Sequence, residues 1–190
     1  MEIINTVQPI RDKKKIDEMK TYLKSKSLRD WALFTLGINS ALRISDILKL
    51  NVSDVMDENG KIRDRIVSVR EKKTGKSKDF PFSKKVLETL KEYISVCEPK
   101  EVLFPSQKGG KAITRQHAHT ILSQAAKSVG IKEHISTHSC RKSWGFHAYQ
   151  SGVPIQKIQS ALNHSSERET LRYIGITQDE LDDVYMDLDL

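Results

Sequence analysis

The sequence predicts a mostly α-helical protein with one small antiparallel β-sheet, an α+β fold. Two observations lead to this class. Apolar residues recur with helical periodicity in several separate segments, and capping residues or glycines bound most of them. Apolar and polar residues alternate in Arg65–Arg70, as is typical of a strand. A lysine-rich turn follows, and Asp79–Phe82 is predicted to be the partner strand, in which Pro81 indicates an edge strand. A chain of 190 residues suffices for one domain with one core.

The N-terminal part is predicted to contain two helices. Ile16, Met19 and Leu23 form a narrow apolar seam, which predicts a helix over Ile10–Lys24. A more buried helix over Leu28–Ile38 follows a short serine-containing link.

After these helices, Arg43 stands within an otherwise apolar run. Burying an arginine is costly unless an anion or a carboxylate meets it. Arg43 therefore binds an anionic group or forms a structural pair with Asp46, and the sequence leaves both readings open.

The C-terminal part is predicted to be helical throughout. Segment Lys84–Val96 is amphipathic, and Thr114 is a suitable N-cap for a helix that ends before Gly130. A helix that carries His138 stops at Ser151-Gly152. Three further helices are predicted. The first runs to Leu162 and has Pro154 in its first turn, the second runs from Ser166 past Tyr173 to a break at Gly175, and the third covers Gln178–Leu188.

The charge of the chain is uneven. Its net charge is +7, but residues 179–190 hold six of the 25 acids and no base, which leaves 19 acids against 32 bases, a net +13, in residues 1–178. Such a body suits a polyanionic partner, with nucleic acid as the first candidate, or is simply solubilising. No apolar run is long enough to span a membrane, and Cys97 and Cys140 show no metal or redox spacing, so we expect a cytoplasmic protein.

Two histidines, an arginine and a tyrosine indicate a phosphate site. His138 and Arg141 are three residues apart and share one helix face, and an imidazole beside a guanidinium suits a phosphate. His164 and Tyr173 are nine residues apart, which would place them on opposite faces of one continuous helix. A capping box that begins at Ser166 predicts a new helix there, so both side chains can address one site.

Other chemistries have little support. His117 and His119 point to different sides of a helix without a carboxylate cluster, so no metal is expected. The chain lacks a phosphate-binding glycine-rich loop and a serine nucleophile elbow. Cys140 is two residues from His138, a spacing that does not aim the pair together, so a buried cysteine is the simpler reading.

Together these motifs resemble the catalytic domain of the tyrosine recombinases, the phage integrase family. The matching pieces occur in the family's order, and the likeness extends from Ile10 to Ile176. The short form of the family, without an N-terminal core-binding domain, is the best fit because only Met1 to Pro9 precede the first predicted helix. The pieces are Ala41–Asp46, Lys73-Thr74-Gly75, His138-Ser139-Cys140-Arg141, Leu162–Ser166 and Tyr173.

The resemblance implies a mechanism for cutting DNA. Tyr173 would attack the scissile phosphate to give a 3′-phosphotyrosyl link and a free 5′-hydroxyl. Arg43 and Arg141 would hold the non-bridging oxygens, and Lys73 would protonate the leaving 5′-oxygen as general acid. One phosphodiester replaces another, so no cofactor and no metal are expected.

The remaining residues would support this reaction. His138 would assist proton movement at the tyrosine, His164 would hydrogen-bond the phosphate, and Asp46 would orient the Arg43 region. Asn163 stands where the family commonly has glycine, and asparagine tolerates a left-handed backbone. The basic residues expected to contact DNA are Lys72, Lys76, Lys78, Arg115 and Lys142.

The resemblance therefore implies a site-specific DNA recombinase that performs integration, excision or inversion. Its partners would be a double-stranded recombination site and further copies in a tetramer, with room for an accessory DNA-bending protein. It would be encoded by a bacterium, phage or plasmid and act at the nucleoid. Residues 1–9 are read as an extension, 10–176 as the catalytic domain and 177–190 as an acidic tail that packs on a neighbouring protomer or shields the site. A non-recombining DNA-binding regulator and an enzyme resembling type IB topoisomerases are the alternatives.

Overall fold

The computed structural model describes residues 7–70, 77–107 and 110–176, and for 67–70, 77 and 78 it describes the backbone alone. Helices dominate the described part, and two strands form its sheet. No helix among the described residues has the length and apolar character needed to cross a membrane. The elements are α1 Lys13–Lys26, α2 Leu28–Ile38, α3 Ile44–Ile47, α4 Val52–Val55, β1 Arg65–Arg70, β2 Ser77–Pro81, α5 Lys84–Cys97, α6 Arg115–Ser128, α7 Thr137–Gln150, α8 Ile155–Leu162 and α9 Glu167–Ile174.

The first helix begins later than the sequence predicted. Its start at Ile10 was wrong, because Asp12 is the N-cap and accepts a hydrogen bond from the Lys14 N–H at 2.7 Å. Ile10 belongs instead to an extended segment, where it is 3% exposed and donates its N–H to Ser143 Oγ of α7 at 2.7 Å. Its apolar side chain thus reflects tertiary packing rather than the helical seam.

The two strands pair in antiparallel fashion, as predicted. Ile66 lies opposite Phe80 and Val69 lies opposite Lys78, so β1 contains one extra residue between the two pairs. Pro81 ends β2 at the edge of this two-stranded sheet. The tip of the hairpin, residues 71–76, lies outside the described residues.

The larger of two apolar clusters joins α1, α2, α5 and α6. Phe34 of α2 is completely buried at its centre, which explains why α2 reads as apolar on most of its faces. Tyr93 of α5 stacks on Phe104 at 6.0 Å and donates its hydroxyl to Leu103 O at 2.7 Å. Cys140 of α7 is a buried member of this cluster, so α7 packs against it.

A smaller apolar cluster packs α7, α8 and α9 together. Gly145 of α7 permits the close approach, because a Cβ built on it would lie 2.6 Å from Cγ2 of Ile174 in α9. Ile174 is fully buried there, one residue after Tyr173. The position of Tyr173 is therefore set by this contact. The buried members of the cluster are Ala41, Phe146, Ile158, Leu162, Ile174 and Ile176.

Local chemistry at the ends of α8 and α9 follows the sequence with two differences. Pro154 was predicted to lie in the first turn of α8. It is instead the N-cap of this helix, because its ψ of 136° is extended. Asn163 ends α8 in the predicted left-handed conformation, with φ 50° and ψ 46°. Ser166 accepts from the Glu169 N–H as a capping box requires, but the Glu169 carboxylate accepts from the N–H and hydroxyl of Ser165.

Candidate active site

The rings of His164 and Tyr173 lie in contact although nine residues separate them. Their centroids are 4.8 Å apart and their planes make an angle of 75°. The left-handed residue Asn163 turns the chain at the end of α8, and Ser166 starts α9, so the chain folds back as the sequence predicted. Neither ring is fully buried.

The guanidinium of Arg141 joins three segments at this point. Arg141 is 2% exposed, and its two terminal nitrogens donate to the main-chain carbonyls of Ala41 and of Leu162, the latter at 2.5 Å. The same guanidinium acts to lower the pKa of the Tyr173 hydroxyl through its charge and through hydrogen bonding. Arg141 thus fixes the loop before α3, the end of α8 and the tyrosine relative to one another.

Arg43 is the second arginine whose charge acts on the tyrosine. It is the half-buried N-cap residue of α3, and its carbonyl accepts the N–H of the buried Asp46 at 2.9 Å. Burial raises the pKa of the Tyr173 hydroxyl, whereas the charges of Arg141 and Arg43 act to lower it. A phenolate forming on Tyr173 would therefore meet two guanidinium groups.

Lys142 lies closer to the tyrosine than the sequence indicated. Its Nζ is 5.3 Å from the centroid of the Tyr173 ring, and burial lowers the pKa of this ammonium group. The sequence suggested a DNA contact for Lys142, and the structure adds a position over the tyrosine ring.

His138 lies at the exposed rim of the same site. Its Nε2 is 3.1 Å from a terminal nitrogen of Arg115. Since a guanidinium only donates, Nε2 of His138 must be the unprotonated acceptor. Desolvation and the charges of Arg115, Lys142, Arg141 and Arg43 all lower the pKa of His138. A neutral imidazole in this position can accept a proton.

Sequence reasoning missed the contact between His164 and Thr170. His164 Nδ1 is 3.2 Å from Thr170 Oγ1, which is 2.9 Å from the carbonyl oxygen of Ser166. Thr170 is completely buried, four residues before the buried Ile174 on the inner face of α9. A polar residue on the apolar face of a short helix was the signal that could have identified it.

The alternative chemistries gain nothing from the structure. Within the described ranges, no three His, Cys, Asp or Glu side chains are grouped to hold a metal ion. Cys140 is buried, and burial raises the pKa of its thiol to about 12, which suits packing rather than nucleophilic attack.

The predicted site residues thus fall into two groups. The hairpin lysines, including the expected general acid Lys73, lie outside the described residues, and Lys78 is described only as backbone of β2. Of the others, Arg43, Arg141, Lys142 and His164 lie near Tyr173, and the cations that lie near His138 are Arg115, Lys142, Arg141 and Arg43. The full set of these others is Arg43, Asp46, Arg115, His138, Arg141, Lys142, His164 and Tyr173.

Comparison with known proteins decides the family. The sequence profile of the phage integrase family matches residues 11–180. The chain belongs to this family. It is 43% identical over 176 residues to the probable integrase/recombinase YoeC of Bacillus subtilis (strain 168), and the match covers 93% of each chain. It is 31% identical over 164 residues to the tyrosine recombinase XerD of Corynebacterium glutamicum, covering 83% of this chain and 52%, about half, of that relative.

Solved structures confirm the predicted fold. The XerA recombinase superimposes with a TM-score of 0.76 at 18% identity, over 97% of this chain and 65% of that one. The XerH site-specific recombinase, in a post-cleavage complex with a palindromic difH substrate, gives a TM-score of 0.73 at 20% identity, over 92% and 51% of the two chains. The family and its named members support a site-specific recombinase of the tyrosine type, as the sequence predicted.

Proposed function

We propose that this chain cuts and rejoins DNA at specific sites through a 3′-phosphotyrosyl intermediate carried by Tyr173. The observation that supports this most directly is that Tyr173 of α9, His164 after α8 and Arg141 of α7 lie close together. A phenol held by a buried guanidinium beside an imidazole has the parts that attack on a phosphodiester requires.

The covalent step balances without a further reactant. The oxygen of Tyr173 forms a bond to phosphorus, and the bond between phosphorus and the 5′-oxygen breaks. The proton of the phenol passes to Nε2 of neutral His138, which gives up its hydrogen bond from Arg115, and the 5′-oxygen takes a proton from a general acid, for which we propose Lys73. The free 5′-hydroxyl of the same or another strand reverses the step, so the energy of the phosphodiester is retained.

The cationic groups would stabilise the charge that develops during attack. Arg141 and Arg43, whose charges both act on the phenol, would hold the non-bridging phosphate oxygens, and His164 would donate a hydrogen bond to one of them. Asp46, buried one turn after Arg43, would keep the Arg43 segment in place. A metal ion commonly supplies this stabilisation in phosphoryl transfer, and here two guanidinium groups would supply it.

The partners follow from the basic surface and from the named relatives. Residues 1–178 carry a net +13, and we propose that Arg115, Lys142 and the lysines Lys72, Lys76 and Lys78 approach the DNA backbone. XerH is described with its difH substrate, which supports a double-stranded recombination site as substrate. We further propose assembly of catalytic domains, residues 10–176, on that site at the nucleoid, with residues 177–190 packing on a neighbouring subunit.

A covalent-trapping experiment tests the proposal. A pool of nicked duplexes of random sequence is incubated with the protein, adducts that survive denaturation are sequenced, and the enriched sequence is resynthesised as a nicked suicide substrate. We expect an adduct with the wild type and none with Tyr173→Phe, which should still bind the DNA. Tyr149→Phe in α7, also a half-buried tyrosine, is the matched control and should form the adduct normally.

Each alternative has its own outcome. A DNA-binding regulator gives a salt-sensitive mobility shift with no adduct from any duplex in the pool. An enzyme resembling type IB topoisomerases enriches no sequence and relaxes supercoiled plasmid. An adduct that persists in Tyr173→Phe would place the nucleophile elsewhere and contradict the proposal.

A further inference from the structure

The buried hydroxyl of Thr170 bridges His164 and the first turn of α9. Its oxygen lies 2.9 Å from Ser166 O and 3.2 Å from His164 Nδ1, and the side chain is completely buried. Thr170 does not touch the reacting groups described above. It is therefore a candidate for positioning His164 rather than for taking part in bond making.

Counting protons in this bridge decides the tautomer of His164. A carbonyl oxygen only accepts, so the contact to Ser166 O is a hydrogen bond only if Thr170 donates its single hydroxyl proton there. Oγ1 is then an acceptor toward the imidazole. The contact to His164 is a hydrogen bond only if Nδ1 carries a proton. Both contacts together therefore require the Nδ1–H tautomer.

We propose that Thr170 is a positioning residue that fixes His164 as the Nδ1–H tautomer, so that Nε2 is the nitrogen that gains and loses the proton. Neutral His164 then accepts at Nε2, and protonated His164 donates there, while the bond to Thr170 is kept in both forms. The hydrogen bond that His164 is proposed to donate to a non-bridging phosphate oxygen then comes from Nε2 of the protonated ring. The catalytic consequence rests on the function proposed above, whereas the tautomer itself does not.

Nitrogen-15 NMR of the histidines in the DNA-free protein tests the tautomer directly. Long-range proton–nitrogen correlations distinguish Nδ1–H from Nε2–H imidazoles, and loss of signals in His164→Gln assigns the ring. At a pH above its pKa, wild-type His164 should show the Nδ1–H pattern. His147 is an internal reference of the opposite kind, because its Nε2 lies 2.9 Å from Ile10 O, an acceptor, and must carry the proton.

Two variants separate the hydroxyl from the volume of the side chain. Thr170→Val keeps the buried shape and removes the acceptor of the Nδ1–H, so His164 should lose the Nδ1–H pattern in part or in full. Thr170→Ser restores the hydroxyl and should return the Nδ1–H pattern. His147 should keep the same signals in all three proteins. A wild-type His164 in the Nε2–H form overturns the proposal, as does a Thr170→Val protein that keeps Nδ1–H.

Adduct formation provides the second measurement. We expect Thr170→Val to slow it about tenfold, the effect of one lost hydrogen bond in the site, and Thr170→Ser to recover most of the rate. DNA affinity should be the same in all three proteins. A Thr170→Val protein with the shifted tautomer and an undiminished rate would refute the catalytic role. An adduct that survives Tyr173→Phe would refute the proposed function and leave the tautomer result standing.

Discussion

Gly145 controls how closely α9 approaches α7, and replacing it by alanine should displace the nucleophile. The new Cβ would lie 2.6 Å from Cγ2 of Ile174, whereas carbon atoms in contact prefer about 3.5 Å or more. Because Cγ2 branches directly from Cβ of Ile174, the methyl group cannot swing away on a flexible chain. The helix itself must move, by roughly 1 Å, and Tyr173 is the preceding residue.

The expected loss of activity exceeds the expected loss of stability. Overpacking of this kind costs about 1–3 kcal/mol in the free energy of unfolding, and alanine recovers about 1 kcal/mol through its helix propensity. A displacement of about 1 Å at the reacting atom costs on the order of a hundredfold in rate. Gly145→Ala should therefore remain folded, with a slightly lower melting temperature, and form the covalent adduct on the order of a hundred times more slowly.

Two further variants show whether displacement of α9 is the cause. Gly37→Ala is the matched control, because its Cβ would meet Cys140 at 3.4 Å, an ordinary contact, in the interior of α2. It should leave adduct formation unchanged. Gly145→Ala combined with Ile174→Ala removes the clashing methyl group and should form adduct faster than Gly145→Ala alone. A Gly145→Ala protein with wild-type adduct formation would refute the reasoning.

Two other predictions follow from single side chains near the site. Arg115→Gln removes a positive charge from beside His138, so the pKa of His138 should rise toward its ordinary 6.5 in an NMR titration. Since the pKa of His138 is lowered in the folded wild type, acidification below about pH 6.5 should destabilise the wild type more than Arg115→Gln. An unchanged His138 pKa in the variant would contradict the contact between Arg115 and His138. At the end of α8, Asn163→Gly should keep or slightly raise the melting temperature and Asn163→Val should lower the free energy of unfolding by about 1–2 kcal/mol, because φ is 50° there. Equal melting temperatures for the two Asn163 variants would argue against a left-handed turn.

Local patterns in the sequence were sufficient to predict most helices and strands and the contact between His164 and Tyr173. Helices α2, α5 and α6 lie where apolar periodicity and capping residues placed them, and Pro81 ends an edge strand. The break at Ser166 correctly indicated that Tyr173 returns to His164. The predictions that failed concern Ile10 and Pro154, which lie outside the helices they were expected to join, and Ser25-Lys26, which was expected to be a link and belongs to α1.

Only the tertiary structure decided how the site is held together. Arg141 bonds the carbonyl of Ala41, one hundred residues earlier in the chain, and Arg115 meets His138 across the gap between two helices. Sequence patterns report interactions within a few residues, because periodicity and capping are local. Main-chain carbonyls leave no trace in the identity of the residues that carry them. Which of them face a buried guanidinium depends on how α7, α8 and α3 pack, and that is a property of the assembled fold.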